Sequence, residues 1–126
     1  MSATISGEMP PTVLIVDDHP SFRACARTTL EAEGFVVVGE AEDGQTALAA
    51  AAELEPDVLL LDVQLPDMNG FEVCEALRRQ NGHAPAVILV SSRDGADYGE
   101  LISASGALGF LPKAELSGAA VAALLR

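Results

Sequence analysis

Four apolar runs in this chain each stop at a side chain that can do chemistry. Thr12 to Val16 leads into Asp17 and Asp18, Val58 to Leu61 into Asp62, Ala86 to Val90 into Ser91, and Gly109 to Pro112 into Lys113. The unbroken Val58-Leu59-Leu60-Leu61 reads as a strand buried on both faces, because a half-exposed strand would alternate apolar with polar. Pro66 cannot continue a central ladder, and Asp67-Met68-Asn69-Gly70 is turn chemistry, so the chain leaves the sheet just after Asp62 and the carboxylate sits at a strand mouth. Gathered at one edge, these residues supply three carboxylates, one hydroxyl and one ammonium. Three carboxylates within a few ångströms do not all stay ionised cheaply without a cation, and an oxygen-only site with room for water suits Mg²⁺, or Mn²⁺. Such a cation lets an anion approach an anion. An Asp oxygen could then attack a phosphoryl group while the metal and Lys113 neutralise the charge on its oxygens, and Ser91 could donate a hydrogen bond to the acyl phosphate formed.

The elements that must bring these residues together alternate along the chain. Met1 to Pro11 lacks periodicity and is expected to be a flexible leader, with one domain over 12–126. After the first strand, Pro20 and Ser21 (a possible cap) open a helix with Phe22, Cys25, Ala26, Thr29 and Leu30 inward, and Gly34 stops it. Phe35 to Val38 is the second strand. A second helix from about Gln45 to Leu54 turns Ala47, Ala50, Ala51 and Leu54 inward. A third carries Phe71, Cys74 and Leu77 and is broken at Asn81-Gly82. Asp94 to Ser105 predicts a weaker fourth helix with Tyr98, Leu101 and Ile102 inward, and Ser117 caps a last helix running to Arg126. Five strands alternating with five helices predict an α/β fold, a doubly wound parallel sheet with helices on both faces. Ligands in such sheets bind beyond the strand C-termini where the strand order reverses, and in the order 2-1-3-4-5 the reversal falls between the strands ending in Asp17-Asp18 and in Asp62.

A length of 126 residues fits one core, in which folding buries roughly two-thirds of the chain's surface. Nineteen acidic against seven basic side chains give a net charge of −12, which repels phosphate backbones and anionic membranes, so direct nucleic-acid binding and membrane insertion are not expected. With neither a membrane-length apolar run nor a signal-like start, a cytoplasmic location is expected. Cys25 and Cys74 read as reduced core residues, placed on opposite faces of the sheet by the topology and so unable to bridge.

Taken together, Val16-Asp17-Asp18-His19, Leu61-Asp62-Val63-Gln64-Leu65-Pro66-Asp67-Met68-Asn69-Gly70, Val90-Ser91 and Gly109-Phe110-Leu111-Pro112-Lys113 closely resemble the receiver domains of two-component response regulators. The resemblance runs from about Thr12 to Arg126 and is closest to receivers that precede a helix-turn-helix output domain. It implies a flavodoxin-like sheet of order 2-1-3-4-5. It further implies that Asp62 is the phosphoacceptor, that Asp17 and Asp18 hold Mg²⁺ with Asp62 and the backbone carbonyl of Gln64, and that Lys113 pairs with the acidic site. Ser91 and Phe110 match the switch positions. The implied partners are a sensor histidine kinase or phosphotransfer protein and, through the face of the fourth helix, fifth strand and last helix, a second copy or an output partner. On the last helix Val121 or Leu125 is expected to face outward. The chain departs from the family pattern at Ala114, where proline is usual, and at Ser92, where a smaller residue is common.

Plainer readings exist for single residues: Asp17-Asp18 as a capping pair, Lys113 as a solvated lysine, and Ser91 or Ser92 as a helix cap. His19 reads as a rim residue, and His83 as a loop residue without a partner. Among whole-chain alternatives, a haloacid-dehalogenase-type phosphohydrolase would carry a second Asp where Gln64 stands. A flavodoxin-like cofactor binder would need a Ser-, Thr- and Gly-rich loop where Asp17-Asp18 repels phosphate. A receiver-like scaffold that works without phosphorylation is the third alternative. The resemblance otherwise implies a signalling phosphoacceptor rather than a turnover enzyme.

Overall fold

The computed structural model describes residues 10–80, 84–93 and 95–126. The expected leader lies mostly outside these residues, as do the break at Asn81-Gly82 and the loop residue His83. Five strands, β1 (Thr12–Val16), β2 (Val36–Ala41), β3 (Val58–Asp62), β4 (Ala86–Ser91) and β5 (Gly109–Pro112), form one parallel sheet in the order β2-β1-β3-β4-β5. The helices are α1 (Pro20–Ala32), α2 (Gly44–Leu54), α3 (Gly70–Arg79), α4 (Glu100–Ala104) and α5 (Gly118–Leu125). This is the expected flavodoxin-like arrangement.

Side chains alternate across each strand, so the continuous apolar runs feed two cores at once. Leu14, Val16, Leu59, Leu61, Val87 and Leu89 meet α2 and α3 through Ala47, Ala51, Val73, Cys74 and Leu77. Val13, Ile15, Val58, Leu60, Ile88 and Val90 meet α1 and α5 through Ala26, Leu30 and Val121. The three central strands are therefore fixed from both sides, and their C-terminal ends share one edge.

Helix starts follow local hydrogen-bonding chemistry. Asn69 and Glu72 form a reciprocal capping box at α3, Ser117 accepts the Ala120 N–H at α5 as expected, and Asp43 accepts the Thr46 N–H at α2. Asp67, from the turn after β3, also accepts the N–H groups of Gly44 and Gln45 at 2.7 and 3.0 Å. The segment after Asp62 is thus tied to the first turn of α2. At α1 the cap position is His19 with Pro20 in the first turn, so Ser21 lies inside the helix rather than capping it. Gly34, at φ +101°, ends that element as expected.

Several expectations need correction. β2 runs on to Ala41 because it pairs along all of β1, with a bulge in which Val13 faces Val37 while Leu14 faces Gly39. Leu54, expected inward, is half-exposed at the end of α2, where it overhangs Gly39. Cys25 is exposed and free: Phe22, Ala26 and Leu30 set the buried face of α1, and Cys25 stands about 100° from Ala26 around the helix. Cys74 is buried and free, and α1 and α3 do pack on opposite faces. The fourth helix is only a 3₁₀ turn at Gly95–Asp97 and the five-residue α4, separated by Tyr98 and Gly99 at φ +54°. That break shifts the helical phase, so Tyr98 packs inward while Leu101 is 55% exposed. Val121, expected outward, is buried against α1, because Gly118 one turn earlier lets α5 close onto Glu33. Leu125 is half-buried, and the α5 stripe facing solvent is Ala119 and Ala123.

Candidate phosphoryl and metal site

The end of β1 delivers Asp17 and Asp18, and the end of β3 delivers Asp62. Asp17 is fully buried and Asp62 nearly so, a costly placement for carboxylates without compensating charge. Lys113, immediately after β5, supplies that charge: its Nζ lies 2.6 Å from Asp17 Oδ2 and 3.3 Å from Asp62 Oδ2. Phe22 of α1 supports the ammonium from one side, with 4.6 Å from Nζ to the ring centroid. Asp62 Oδ1 accepts the Gln64 N–H at 3.1 Å. Close packing fixes the strand end further: Gly70 donates its N–H to the Val63 carbonyl at 2.7 Å, and a Cβ there would sit 2.9 Å from the Asp62 carbonyl oxygen.

Burial, aided by the negative charge of Asp17, holds the Asp62 pKa above the ordinary carboxylate value, and the Gln64 N–H and Lys113 offset this only in part. Burial also works against the charge on Lys113, yet Asp17 and Asp62 outweigh it and hold the lysine above its usual pKa. The ammonium is therefore charged throughout the physiological range, one positive charge set among three carboxyl groups.

Asp17, Asp18, His19 and Asp62 each place one donor atom within 4.8 Å of the others. Asp17 Oδ2 is buried and pairs with the Lys113 ammonium at 2.6 Å. Three carboxylates against one ammonium, with an open side, fit a hard divalent cation of the Mg²⁺ or Mn²⁺ type. The open side is a cavity of about 200 Å³ lined by Asp18, His19, Asp62, Gln64, Leu65, Pro66, Ser92 and Lys113. It admits a small anion beside Asp62. Other, larger cavities lie away from every residue of this cluster.

Not all the expected site residues meet here. Asp17, Asp18, Asp62 and Lys113 come together, with Gln64 on the cavity wall. Ser91 and Phe110 form a second cluster. The Ser91 hydroxyl is buried, accepts the Arg93 N–H at 3.0 Å and lies 2.6 Å from the Tyr98 hydroxyl. The Tyr98 ring in turn packs against Phe71 and Phe110 with centroids 5.6 and 5.8 Å away.

Three contributors escape the sequence reading. His19 is more than a rim residue: its N–H donates to Asp17 Oδ1 at 2.8 Å, and its Nδ1 lies 3.0 and 3.1 Å from Asp17 and Asp18 oxygens. Arg23 donates to the Asp17 carbonyl at 2.6 Å and to Glu40 on β2 at 2.9 Å, which pins the loop carrying the acidic pair. Its place one turn into α1, after Asp17-Asp18, was the available signal. Tyr98 carried none, because its contact with Ser91 depends on the broken helix.

Comparison with known proteins bears on the family and the fold. Residues 13–124 match the response regulator receiver domain family. The nitrate/nitrite response regulator protein NarP of Escherichia coli is 44% identical over 105 residues, covering 82% of this chain and 48% of that protein. The DNA-binding response regulator MtrA of Mycolicibacterium smegmatis is 44% identical over 91 residues, covering 71% of this chain and 38% of that one. The chain thus spans about half or less of the length of these relatives. The signal receiver domain of NarL from Mycobacterium tuberculosis superposes with a TM-score of 0.84 at 36% identity, covering 94% of this chain and 95% of that one. By sequence and by fold, the chain belongs to the response regulator receiver domains of two-component signalling.

Proposed function

We propose that Asp62 accepts a phosphoryl group from a histidine kinase or phosphotransfer protein, in a site whose metal is held by Asp17, Asp18, Asp62 and the Gln64 backbone carbonyl. The observation that carries this reading is the nearly buried Asp62 carboxylate at the sheet edge, with Lys113 Nζ 3.3 Å from one oxygen and a cavity open beside it. In the transfer an Asp62 oxygen forms a bond to phosphorus as the bond from phosphorus to the donor nitrogen breaks, and the electron pair returns to the donor imidazole. A divalent ion held there would supply positive charge to the oxygens of the transferring group. Lys113, charged and held by two carboxylates, orients a phosphoryl oxygen, and the Gln64 N–H keeps the Asp62 carboxylate at a fixed angle. The domain spans 12–126 and acts in the cytoplasm. It is its own substrate, a signalling phosphoacceptor rather than a turnover enzyme.

Signal leaves through the face of α4, β5 and α5, with Ser91 and Phe110 as the moving parts, toward a second copy or an output partner. Leu101 and Leu108, 55% and 48% exposed, supply the apolar contact there rather than Val121. Intact mass after incubation with acetyl phosphate and Mg²⁺ tests the chemistry. The expected result is a gain of one phosphoryl group that Asp62→Asn and excess chelator both abolish. Full labelling of Asp62→Asn, or labelling in chelator, overturns it.

A further inference from the structure

Ser91 and Phe110, two strands' ends apart in sequence, share a neighbour. Tyr98 touches both, through its hydroxyl to Ser91 and through its ring to Phe110. The Ser91 Oγ is engaged by the Arg93 N–H and by the Tyr98 hydroxyl, and neither Arg93 nor Tyr98 lines the cavity beside Asp62. Ser92 lines the cavity beside Asp62, and Ser91 does not. For the Ser91 hydroxyl to reach an acyl phosphate on Asp62, the 2.6 Å contact with Tyr98 must break. Phe110, which pairs with Leu89 two residues before Ser91, is closed in by the Gly95 turn, where even a Cβ would sit 3.0 Å from the ring. Tyr98 is held in place by aromatic contacts from two sides, which keeps its hydroxyl aimed at Ser91.

We propose that the Tyr98 hydroxyl is a latch that holds Ser91 out of the phosphoryl site in the unphosphorylated protein, so that releasing it biases the domain toward the phosphorylated arrangement. The inference rests on the phosphoacceptor reading of Asp62. Tyr98 is a positioning residue that acts through Ser91. A bond present in only one of two states shifts their ratio by its net strength, which for a neutral hydroxyl pair corresponds to roughly 3- to 10-fold.

Tyr98→Phe removes the hydroxyl and keeps the ring between Phe71 and Phe110. The probe is beryllofluoride, a non-covalent stand-in for the acyl phosphate, titrated in excess Mg²⁺. The latch predicts roughly 3- to 10-fold tighter binding to Tyr98→Phe than to the unaltered protein, and loss of that gain when Ser91→Ala is added to both. A second readout uses the composition: Tyr98 is the single tyrosine and there is no tryptophan. Its emission should change on binding beryllofluoride, and that change should vanish in Ser91→Ala. Equal or weaker binding by Tyr98→Phe, a gain that persists without the Ser91 hydroxyl, or unchanged emission overturns the latch while leaving Asp62 as phosphoacceptor. Failure of both proteins to bind beryllofluoride or to accept a phosphoryl group overturns the latch together with the reading beneath it.

Discussion

Replacing Asp62 by asparagine keeps the shape of the side chain and removes one negative charge from the sheet edge, and it should make the metal-free protein more stable. At an effective dielectric of about 20, the attraction of Asp62 to Lys113 at 3.3 Å is about 5 kcal/mol. Repulsion from Asp17, with an oxygen no more than 4.8 Å away, is at least about 3.5 kcal/mol. Burial of the ion costs several kcal/mol more. Burial plus repulsion exceed the attraction, which is the physical content of the raised Asp62 pKa. With the Gln64 N–H also favouring the charged form, the expected gain for Asp62→Asn at neutral pH is on the order of 1 kcal/mol, or about 4 °C in Tm for a domain of this size. The sign with pH is determined. A carboxyl whose folded pKa is raised binds its proton more tightly in the folded state, so its contribution is favourable in acid and is lost as pH rises through the folded pKa. The advantage of asparagine should therefore be small near about pH 4 and full at about pH 7.5. Mg²⁺ should narrow it, since a ligand at a hundredfold excess over its Kd stabilises its host by about 2.7 kcal/mol and the asparagine site binds the ion more weakly. Thermal melts by circular dichroism at the two pH values, with and without Mg²⁺, measure all of this. A Tm for Asp62→Asn equal to or below that of the unaltered protein at neutral pH, or a gap that widens with Mg²⁺, would refute the electrostatic account.

The two thiols should differ sharply toward a thiol reagent under native conditions. Cys25 is exposed, whereas burial pushes the Cys74 thiol up to about 11, so mass spectrometry should find one fast adduct on Cys25 and a second only on unfolding. Equal rates would contradict the packing of α3. Gly70→Ala should destabilise the domain by about 1–3 kcal/mol, because its Cβ would press on the backbone of Asp62 and Val63. Since that backbone carries the carboxylate, the rate of labelling by acetyl phosphate should fall as well, and an unchanged melting curve with unchanged labelling would show that the contact relaxes freely.

How much of this was legible in the sequence depended on what kind of signal each feature sends. Asp17, Asp62 and Lys113 stood out because a buried parallel strand must be apolar along its length, so a charge at its end is conspicuous. The strand order then brought them together. β2 was read too short because the apolar run stops at Val38, whereas pairing with β1 and the Arg23 and Arg27 contacts to Glu40 keep Gly39 to Ala41 in the strand. α5 gave no phase: Gly118 to Leu125 has no polar side chain, so periodicity could not say that Val121 faces inward. Tyr98 and Leu101 were assigned one face on the assumption of a continuous helix, and a single positive φ at Gly99 removed it. Features set by residue type were readable. Those set by one backbone angle, or by the way two helices close, were not.

The bulge in β2 and Pro112 in β5 sit on the two outermost strands of the sheet. An outermost strand normally offers a row of open amides and carbonyls to any extended peptide, and that is the route to edge-to-edge aggregation. At one border the extra residue Val38 breaks the regular spacing of that row, and the guanidinium groups of Arg23 and Arg27 cluster on Glu40 beside it. At the other the strand is four residues long and one of its amides is missing. Neither border presents a continuous template for a foreign strand. Growth of the sheet by strand addition is discouraged at both ends, so a partner docking on the helical faces would leave undisturbed the ladder that carries Asp17 and Asp62.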